Sequence, residues 1–137
     1  MVNISSEPRA AIKKSKCKHC KLYDFIDMKI KEDTILQPDC SIVCKPIHKR
    51  FLDFAASLVV EILSPVTALK DRHTKFSFYE NFGIKYYMIV DEEKESIEVY
   101  MLTNKQYVLT PYSPAKPFTF TFTDDCKIDV LIKNIWE

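Results

Sequence analysis

The segment between Leu58 and Asp91 is predicted to form a buried strand, an amphipathic helix and a second buried strand. The first strand, LVVEIL, is apolar at every position but one, which is typical of a strand covered on both faces of a sheet. Glu61 is the exception. A carboxylate in such a strand is costly unless a cation, a metal ion or several donors compensate for its burial. We therefore interpret Glu61 as one half of a metal site.

The helix that follows places more polar residues near Glu61. Gly83, the only glycine in the chain, suits the position just beyond the last helical turn. At 3.6 residues per turn, Asp71, Lys75 and Tyr79 share the stripe that we expect to face the core. An ordinary i,i+4 ion pair between Asp71 and Lys75, with the lysine reaching outward, is the alternative interpretation.

Composition limits the class of protein. The 137 residues predict one domain, 1–137, and 47% apolar residues argue against disorder. A net charge of +1 gives no global field of the kind that marks many nucleic-acid binders. A single glycine excludes the glycine-rich phosphate and dinucleotide loops. Without a signal peptide or a membrane-spanning apolar run, we expect a cytoplasmic protein with no membrane partner.

Alternating and apolar runs predict the remaining elements. Residues 1–19 predict a short helix or a flexible basic N-terminus. Further strands are predicted at residues 20–30, 35–44, 84–91, 97–102, 106–110 and 118–123, before a closing helix at 128–136. The expected fold class is α/β, with a mixed β-sheet flanked by helices.

Five cysteines, an odd number, favour reduced thiols over a disulfide framework. Cys17 and Cys20 form a CxxC pair, and Cys40 and Cys44 a CxxxC pair; four thiolates of this kind could bind zinc. However, Cys40 and Cys44 would lie about 13 Å apart in an extended strand. That distance is too long for one ion unless the strand ends before Cys44. We therefore favour buried structural cysteines.

Asp39 is the second acid of interest. If its strand lies beside the strand of Glu61, the two strands are about 4.8 Å apart, and both carboxylates can share one hard cation. Lys75 would then lie near the negative charge that develops during reaction. Two acids and a lysine around Mg²⁺ are a set suited to phosphodiester hydrolysis. A turn or surface aspartate after Pro38 is the alternative.

These residues carry a family resemblance. The matching positions are PD at 38–39, LVVEILSP at 58–65, Asp71 and Lys75 in D-x3-K, Tyr79, Gly83, YYMIVD at 86–91, IEVY at 97–100 and the closing LIKNIWE. In this pattern the chain resembles the Uma-two family, whose members are classed as restriction endonucleases of the PD-(D/E)XK nuclease superfamily. The resemblance covers roughly residues 20–137. It implies a restriction-endonuclease-like fold, a mixed sheet flanked by helices.

The resemblance also implies a site that uses Mg²⁺ or Mn²⁺. Asp39 and Glu61 would be metal ligands, together with the backbone carbonyl of Ile62. The usual lysine position of the superfamily holds Leu63 here, and families of this type draw the lysine from the following helix. The catalytic set is therefore expected to be Asp39, Glu61 and Lys75.

Further expectations follow from the family. Asp71 and Tyr79 would support the site, and the protein is a possible homodimer. The family's usual N-terminal part, which carries a glutamate near the metal, is expected to be missing. The predicted partner is DNA. Candidates for DNA contacts are the basic residues Lys45, Lys49, Arg50, Lys70, Arg72 and His73.

Two functional hypotheses follow. The first is a metal-dependent endonuclease that hydrolyses DNA phosphodiester bonds. The second is a degenerate, non-catalytic member that acts as a nucleic-acid- or protein-binding module. The missing N-terminal acid and the near-neutral net charge motivate the second hypothesis.

Overall fold

The computed structural model of the chain describes residues 3–63 and 68–136, with side chains for all of these except residues 68–71. The helices are α1 (Ser6–Lys14) and α2 (Ala68–Phe82), with a closing 3₁₀ helix, Ile132–Ile135. The strands are β1 (Lys21–Asp24), β2 (Met28–Lys31), β3 (Thr34–Leu36), β4 (Cys40–Val43), β5 (Leu58–Leu63), β6 (Tyr86–Asp91), β7 (Ser96–Thr103), β8 (Gln106–Leu109), β9 (Phe118–Thr123) and β10 (Cys126–Val130).

The central sheet has six strands in the order β1-β4-β5-β6-β7-β8. Strands β5 and β6 pair in parallel, and every other neighbouring pair in this sheet is antiparallel. Helix α2 connects the two parallel strands, as the sequence predicts. Gly83 follows α2 with φ +91°, a left-handed conformation that glycine adopts at little cost.

The two faces of the sheet are covered differently. On one face, Val59, Tyr87 and Ile89 pack with Tyr79 of α2 and with Met28 of the β2–β3 hairpin. On the other face, alternate residues of the same strands pack with α1 and with the β9–β10 hairpin. The sheet is therefore mixed and flanked by helices, which confirms the predicted fold class. The N-terminal segment contains the helix rather than the flexible alternative.

Three predicted elements were wrong in extent. The strand at 20–30 is divided by Phe25, whose φ of +56° turns the chain between β1 and β2. The strand at 35–44 is divided after β3, where Pro38 has no N–H to donate to a ladder. The closing helix at 128–136 is shorter than predicted, because its first three residues complete strand β10, whose burial alternates from Cys126 to Val130. Only Ile132–Ile135 are helical, as a 3₁₀ helix.

The cysteines also differ from expectation. The structure contains the disulfides Cys17–Cys126 and Cys20–Cys44, and Cys40 is free and buried. In this structure four of the five cysteines are therefore paired, in contrast to the expected unpaired thiols. Among the described residues, no helix is long and apolar enough to cross a membrane.

Candidate metal centre

The pairing of β4 with β5 brings Asp39 and Glu61 together. Cys40 lies opposite Val60 in this antiparallel ladder, and the next residues beyond this pair are Asp39 and Glu61. Asp39 Oδ2 accepts a hydrogen bond of 2.7 Å from the backbone N–H of Ile62. This bond fixes the Asp39 carboxylate beside the strand that carries Glu61, at the edge of the core that packs under α2.

Glu61 is almost fully buried, with 4% of its surface exposed. Its Oε2 accepts a 2.7 Å hydrogen bond from the hydroxyl of Tyr79 and lies 3.2 Å from Nζ of Lys75. Because Lys75 and Tyr79 are four residues apart on α2, they reach the same carboxylate from one face of the helix. The helix thus supplies part of the compensation that a buried carboxylate needs.

Burial raises the pKa of Glu61, while the hydrogen bond from Tyr79 and the charge of Lys75 lower that pKa, and the negative charge of Asp39 raises it again. The net direction is upward, so the ionised carboxylate is only partly compensated. Burial, together with the adjacent Glu61 carboxylate, also raises the pKa of Tyr79, which therefore stays a hydrogen-bond donor.

The donor set fits a hard divalent cation. Among the described residues, no hydrogen bond engages Oδ1 of Asp39 or Oε1 of Glu61. Two carboxylate oxygens on adjacent strands are ligands of the type that Mg²⁺ and Mn²⁺ prefer. A cation would also relieve the repulsion between these acids, which is one of the causes of the raised Glu61 pKa. The buried Ser41 hydroxyl, on the same face, has no partner among the described residues.

A second carboxylate on the same sheet face has a similar set of partners. Glu98 of β7 lies opposite Ile89, which in turn lies opposite Glu61. The guanidinium of Arg72 bridges both Glu98 oxygens, at 2.6 and 2.7 Å, and the Tyr100 hydroxyl donates at 2.6 Å. The sequence analysis missed this group, because nothing in the pattern of Ser96–Thr103 indicates which helix residue Glu98 meets.

The predicted DNA-contact residues are distributed unevenly. Lys45, Lys49 and Arg50 are exposed in the loop after β4, and His73 is exposed on α2. Lys49 pairs with Asp53 at 2.9 Å at the surface. By contrast, Arg72 is half-buried and already paired with Glu98, so its predicted contact with DNA stays a prediction. The side chains of Lys70 and Asp71 lie outside the described part of the structure.

The structure thus brings together Asp39, Glu61, Lys75 and Tyr79, four of the residues predicted for the site. For Ile62, it shows a contact of the N–H rather than of the carbonyl, so the predicted role of that carbonyl stays a prediction.

Comparison with known proteins now adds to this geometry. The sequence pattern of the Uma2 family, described as "Putative restriction endonuclease", matches residues 11–122. The chain belongs to the Uma2 family. This match confirms the resemblance found in the sequence, and it extends from the last turn of α1 through the central sheet to most of β9. Among curated proteins, no match to this Uma2 chain is found.

A solved structure shares the fold of this Uma2 protein. The crystal structure of "a putative nuclease belonging to DUF820" from Anabaena variabilis matches with a TM-score of 0.69. The match covers 96% of this chain and 74% of the other, at 14% sequence identity. At that identity, the similarity shows the fold alone.

Proposed function

We propose that this Uma2 protein is a divalent-metal-dependent nuclease that hydrolyses DNA phosphodiester bonds, with Asp39, Glu61 and Lys75 as its catalytic residues. One observation carries the proposal. Glu61 is a carboxylate buried in the sheet, held by Tyr79 and Lys75, with a second carboxylate fixed beside it. A protein rarely retains so costly an arrangement for stability alone, since apolar residues of similar volume usually serve as well.

Asp39 and Glu61 would hold the cation through the two oxygens that no described residue engages. When bound, Mg²⁺ or Mn²⁺ supplies Lewis-acid polarisation of a phosphate and makes a nearby water more acidic. Ile62 locks Asp39 through its N–H, and Tyr79 locks Glu61 through its hydroxyl. Both carboxylates are therefore oriented before substrate binds, which reduces the cost of reorganisation during reaction.

Lys75 has the position of a phosphate- and water-orienting group. Its side chain is 32% exposed, so the ammonium group contacts both the buried carboxylate and solvent. An ammonium has three N–H donors. One is directed to Glu61, which leaves two for a phosphate oxygen and for the attacking water. The same positive charge would stabilise the negative charge that develops on the phosphate.

The basic loop after β4 supplies the proposed DNA contacts. Lys45, Lys49 and Arg50 are exposed there, on the segment that directly follows the Asp39 strand. Such contacts to the phosphate backbone would carry no base specificity. We therefore expect binding that weakens steeply as salt is added, because each phosphate contact releases counterions.

Nicking of supercoiled plasmid DNA with Mn²⁺ or Mg²⁺ tests this proposal. Wild-type protein should convert the plasmid to the nicked form, and Glu61→Gln should lower the rate by at least about 100-fold. Glu98→Gln is the matched control, because Glu98 shares the sheet face and the same types of partner. We expect that variant to stay within about threefold of the wild type.

Two results would overturn the assignment. The first is equal cleavage by wild type and Glu61→Gln, which would show that the cleavage does not depend on Glu61. The second is no cleavage by the wild type with either metal on duplex, nicked or single-stranded DNA. The second result, with DNA binding retained, would favour a non-catalytic binding module.

A further inference from the structure

Four of the five cysteines converge on one point of the structure, away from Glu61. The sulfurs of Cys17, Cys20 and Cys126 all lie within 4.8 Å of one another. Cys44 Sγ is bonded to Cys20 Sγ and adds a fourth sulfur beside this group, although it lies outside the mutual 4.8 Å distance that the other three share. Cys40, the fifth cysteine, is free and buried in the same core but is not bonded to any of these sulfurs. The four-thiolate set considered from the sequence includes Cys40, whereas the structure places Cys126 beside Cys17 and Cys20.

The contact between the two disulfides is informative. Cys20 Sγ lies 3.3 Å from Cys126 Sγ, although each sulfur is bonded to a different cysteine. Two independent disulfides have no need to touch. By contrast, four thiolates that bind one zinc ion must lie close together, because Zn–S bonds of about 2.3 Å in a tetrahedron place the sulfurs about 3.8 Å apart.

The backbone around the cluster suits a metal. Cys17 and Cys20 flank a tight turn between α1 and β1, where the Cys20 N–H donates to the Cys17 carbonyl at 3.3 Å. The CxxC pair is not bonded to itself, which leaves both sulfurs directed into the cluster. Strand β4 ends at Val43, so Cys44 lies just beyond the strand. Cys126 begins β10 at a register shift in the β9–β10 hairpin.

The sequence neighbours of the clustered cysteines are mostly basic. A lysine follows each of the four clustered cysteines, whereas Ser41 follows Cys40. These lysines, all exposed, are Lys18, Lys21, Lys45 and Lys127. Asp124 and Asp125, also exposed, directly precede Cys126. A zinc ion with four thiolates carries a net charge of −2, which nearby ammonium groups favour and nearby carboxylates oppose.

From these observations we infer that Cys17, Cys20, Cys44 and Cys126 form a structural zinc site in the reduced protein. Each disulfide takes two electrons and two protons from a dithiol reductant, which is itself oxidised to a disulfide, and gives two thiols. Zn²⁺ then displaces four protons and forms four Zn–S bonds. The site fastens the α1–β1 turn and the β9–β10 hairpin to the end of β4, and it is independent of the proposed nuclease chemistry.

Metal analysis of protein purified anaerobically tests this inference. The chain should be expressed with zinc, kept under a phosphine reductant and freed of loosely bound metal on a desalting column. We expect about one zinc per chain, measured by mass spectrometry of the elements, in the wild type and in Cys40→Ser. Cys126→Ser should bind close to none. Cys40→Ser is the matched control, because Cys40 is buried but lies outside the cluster.

Cobalt keeps the test decisive even if Cys126→Ser fails to fold. Co²⁺ added to the reduced, metal-free wild type should give thiolate-to-metal charge-transfer bands and the intense visible bands of a tetrahedral site, and Zn²⁺ should abolish both. Three results would overturn the inference. They are no stoichiometric zinc in the wild type, the same zinc content in Cys126→Ser, and cobalt spectra without thiolate bands. Retention of two disulfides under the reductant, counted by intact mass, would identify the cluster as a disulfide pair instead.

Discussion

Two carboxylates on the same face of the central sheet have closely similar partners and different surroundings. Glu61 meets Lys75 and Tyr79, and Glu98 meets Arg72 and Tyr100. In each group a strand supplies the acid and α2 supplies the cation. The side chain of Glu61 is 5% exposed, and that of Glu98 is 28% exposed.

The difference lies in burial and in a second acid. Asp39 is fixed next to Glu61, and among the described residues no carboxylate appears among the hydrogen-bond or ion-pair partners of the Glu98 group. Moreover, Arg72 occupies both oxygens of Glu98, whereas Lys75 and Tyr79 share one oxygen of Glu61. An ion pair with both oxygens engaged is a structural contact. A buried carboxylate with one oxygen not engaged, beside a second carboxylate, can bind a cation.

The largest expected difference between the two groups is in turnover. Lys75→Met should lower the rate of plasmid nicking by about 100-fold or more, since it removes the cation nearest the proposed metal ligands. Arg72→Met should leave the maximal rate within about fivefold, because its charge is used by Glu98. Initial rates at saturating DNA measure both. Equal losses of nicking rate in the two variants would show that the Glu61 and Glu98 groups do not differ in function.

The tyrosines should differ in their effect on stability. Tyr79→Phe should lower the free energy of unfolding by about 1–3 kcal/mol, because it removes the hydroxyl donor of a buried carboxylate and leaves Lys75 as its remaining partner. Tyr100→Phe should cost less than about 1 kcal/mol, since Glu98 keeps both contacts to Arg72 and is partly solvated. Urea denaturation of both variants at neutral pH, without added metal, measures the difference. A larger loss in Tyr100→Phe would contradict the contrast in burial.

The dependence of stability on pH tests the effect of burial on the Glu61 carboxylate. The pKa of Glu61 in the folded protein is raised above its ordinary value of 4.5, chiefly by burial. At pH values between the ordinary pKa of the unfolded chain and the raised pKa of the folded protein, the folded state binds more protons than the unfolded state. This carboxylate therefore lowers stability as pH rises. Glu61→Gln should therefore gain stability relative to the wild type as pH rises through that window.

The measurement for this prediction is thermal unfolding in chelator from pH 5 to neutral pH, with Glu98→Gln as a parallel control for replacing a carboxylate. The ion pair with Lys75 is already included in the net direction of the Glu61 pKa, so the slope of the stability difference against pH is the informative quantity. A stability difference that does not change with pH would show that burial does not raise the pKa of Glu61.

Much of the fold could be predicted from the sequence because its signals are local. The apolar run around Glu61, the helical stripe with Lys75 and Tyr79, and Gly83 at the helix end are short-range patterns. The structure has the predicted helix and both flanking strands. The site residues Glu61, Lys75 and Tyr79 all lie within this one unit, which is why the unusual acid in the strand pointed to them.

The errors have non-local causes. Strands β2 and β3 form a separate hairpin, and the sequence does not show that the chain leaves the central sheet near Phe25 and returns at Cys40. Cys126 joins Cys17 across 109 positions, which no spacing pattern within a short window reveals. Glu98 also meets Arg72 through tertiary packing alone.

Binding of a divalent cation by Asp39 and Glu61 can be measured directly by thermal unfolding with and without Mn²⁺. At 100 times its dissociation constant, Mn²⁺ should stabilise the wild type and Glu98→Gln by about 2.7 kcal/mol, a rise in Tm of several degrees. Asp39→Asn and Glu61→Gln should show no such rise. A rise of equal size in Glu61→Gln, or none in the wild type, would contradict the account.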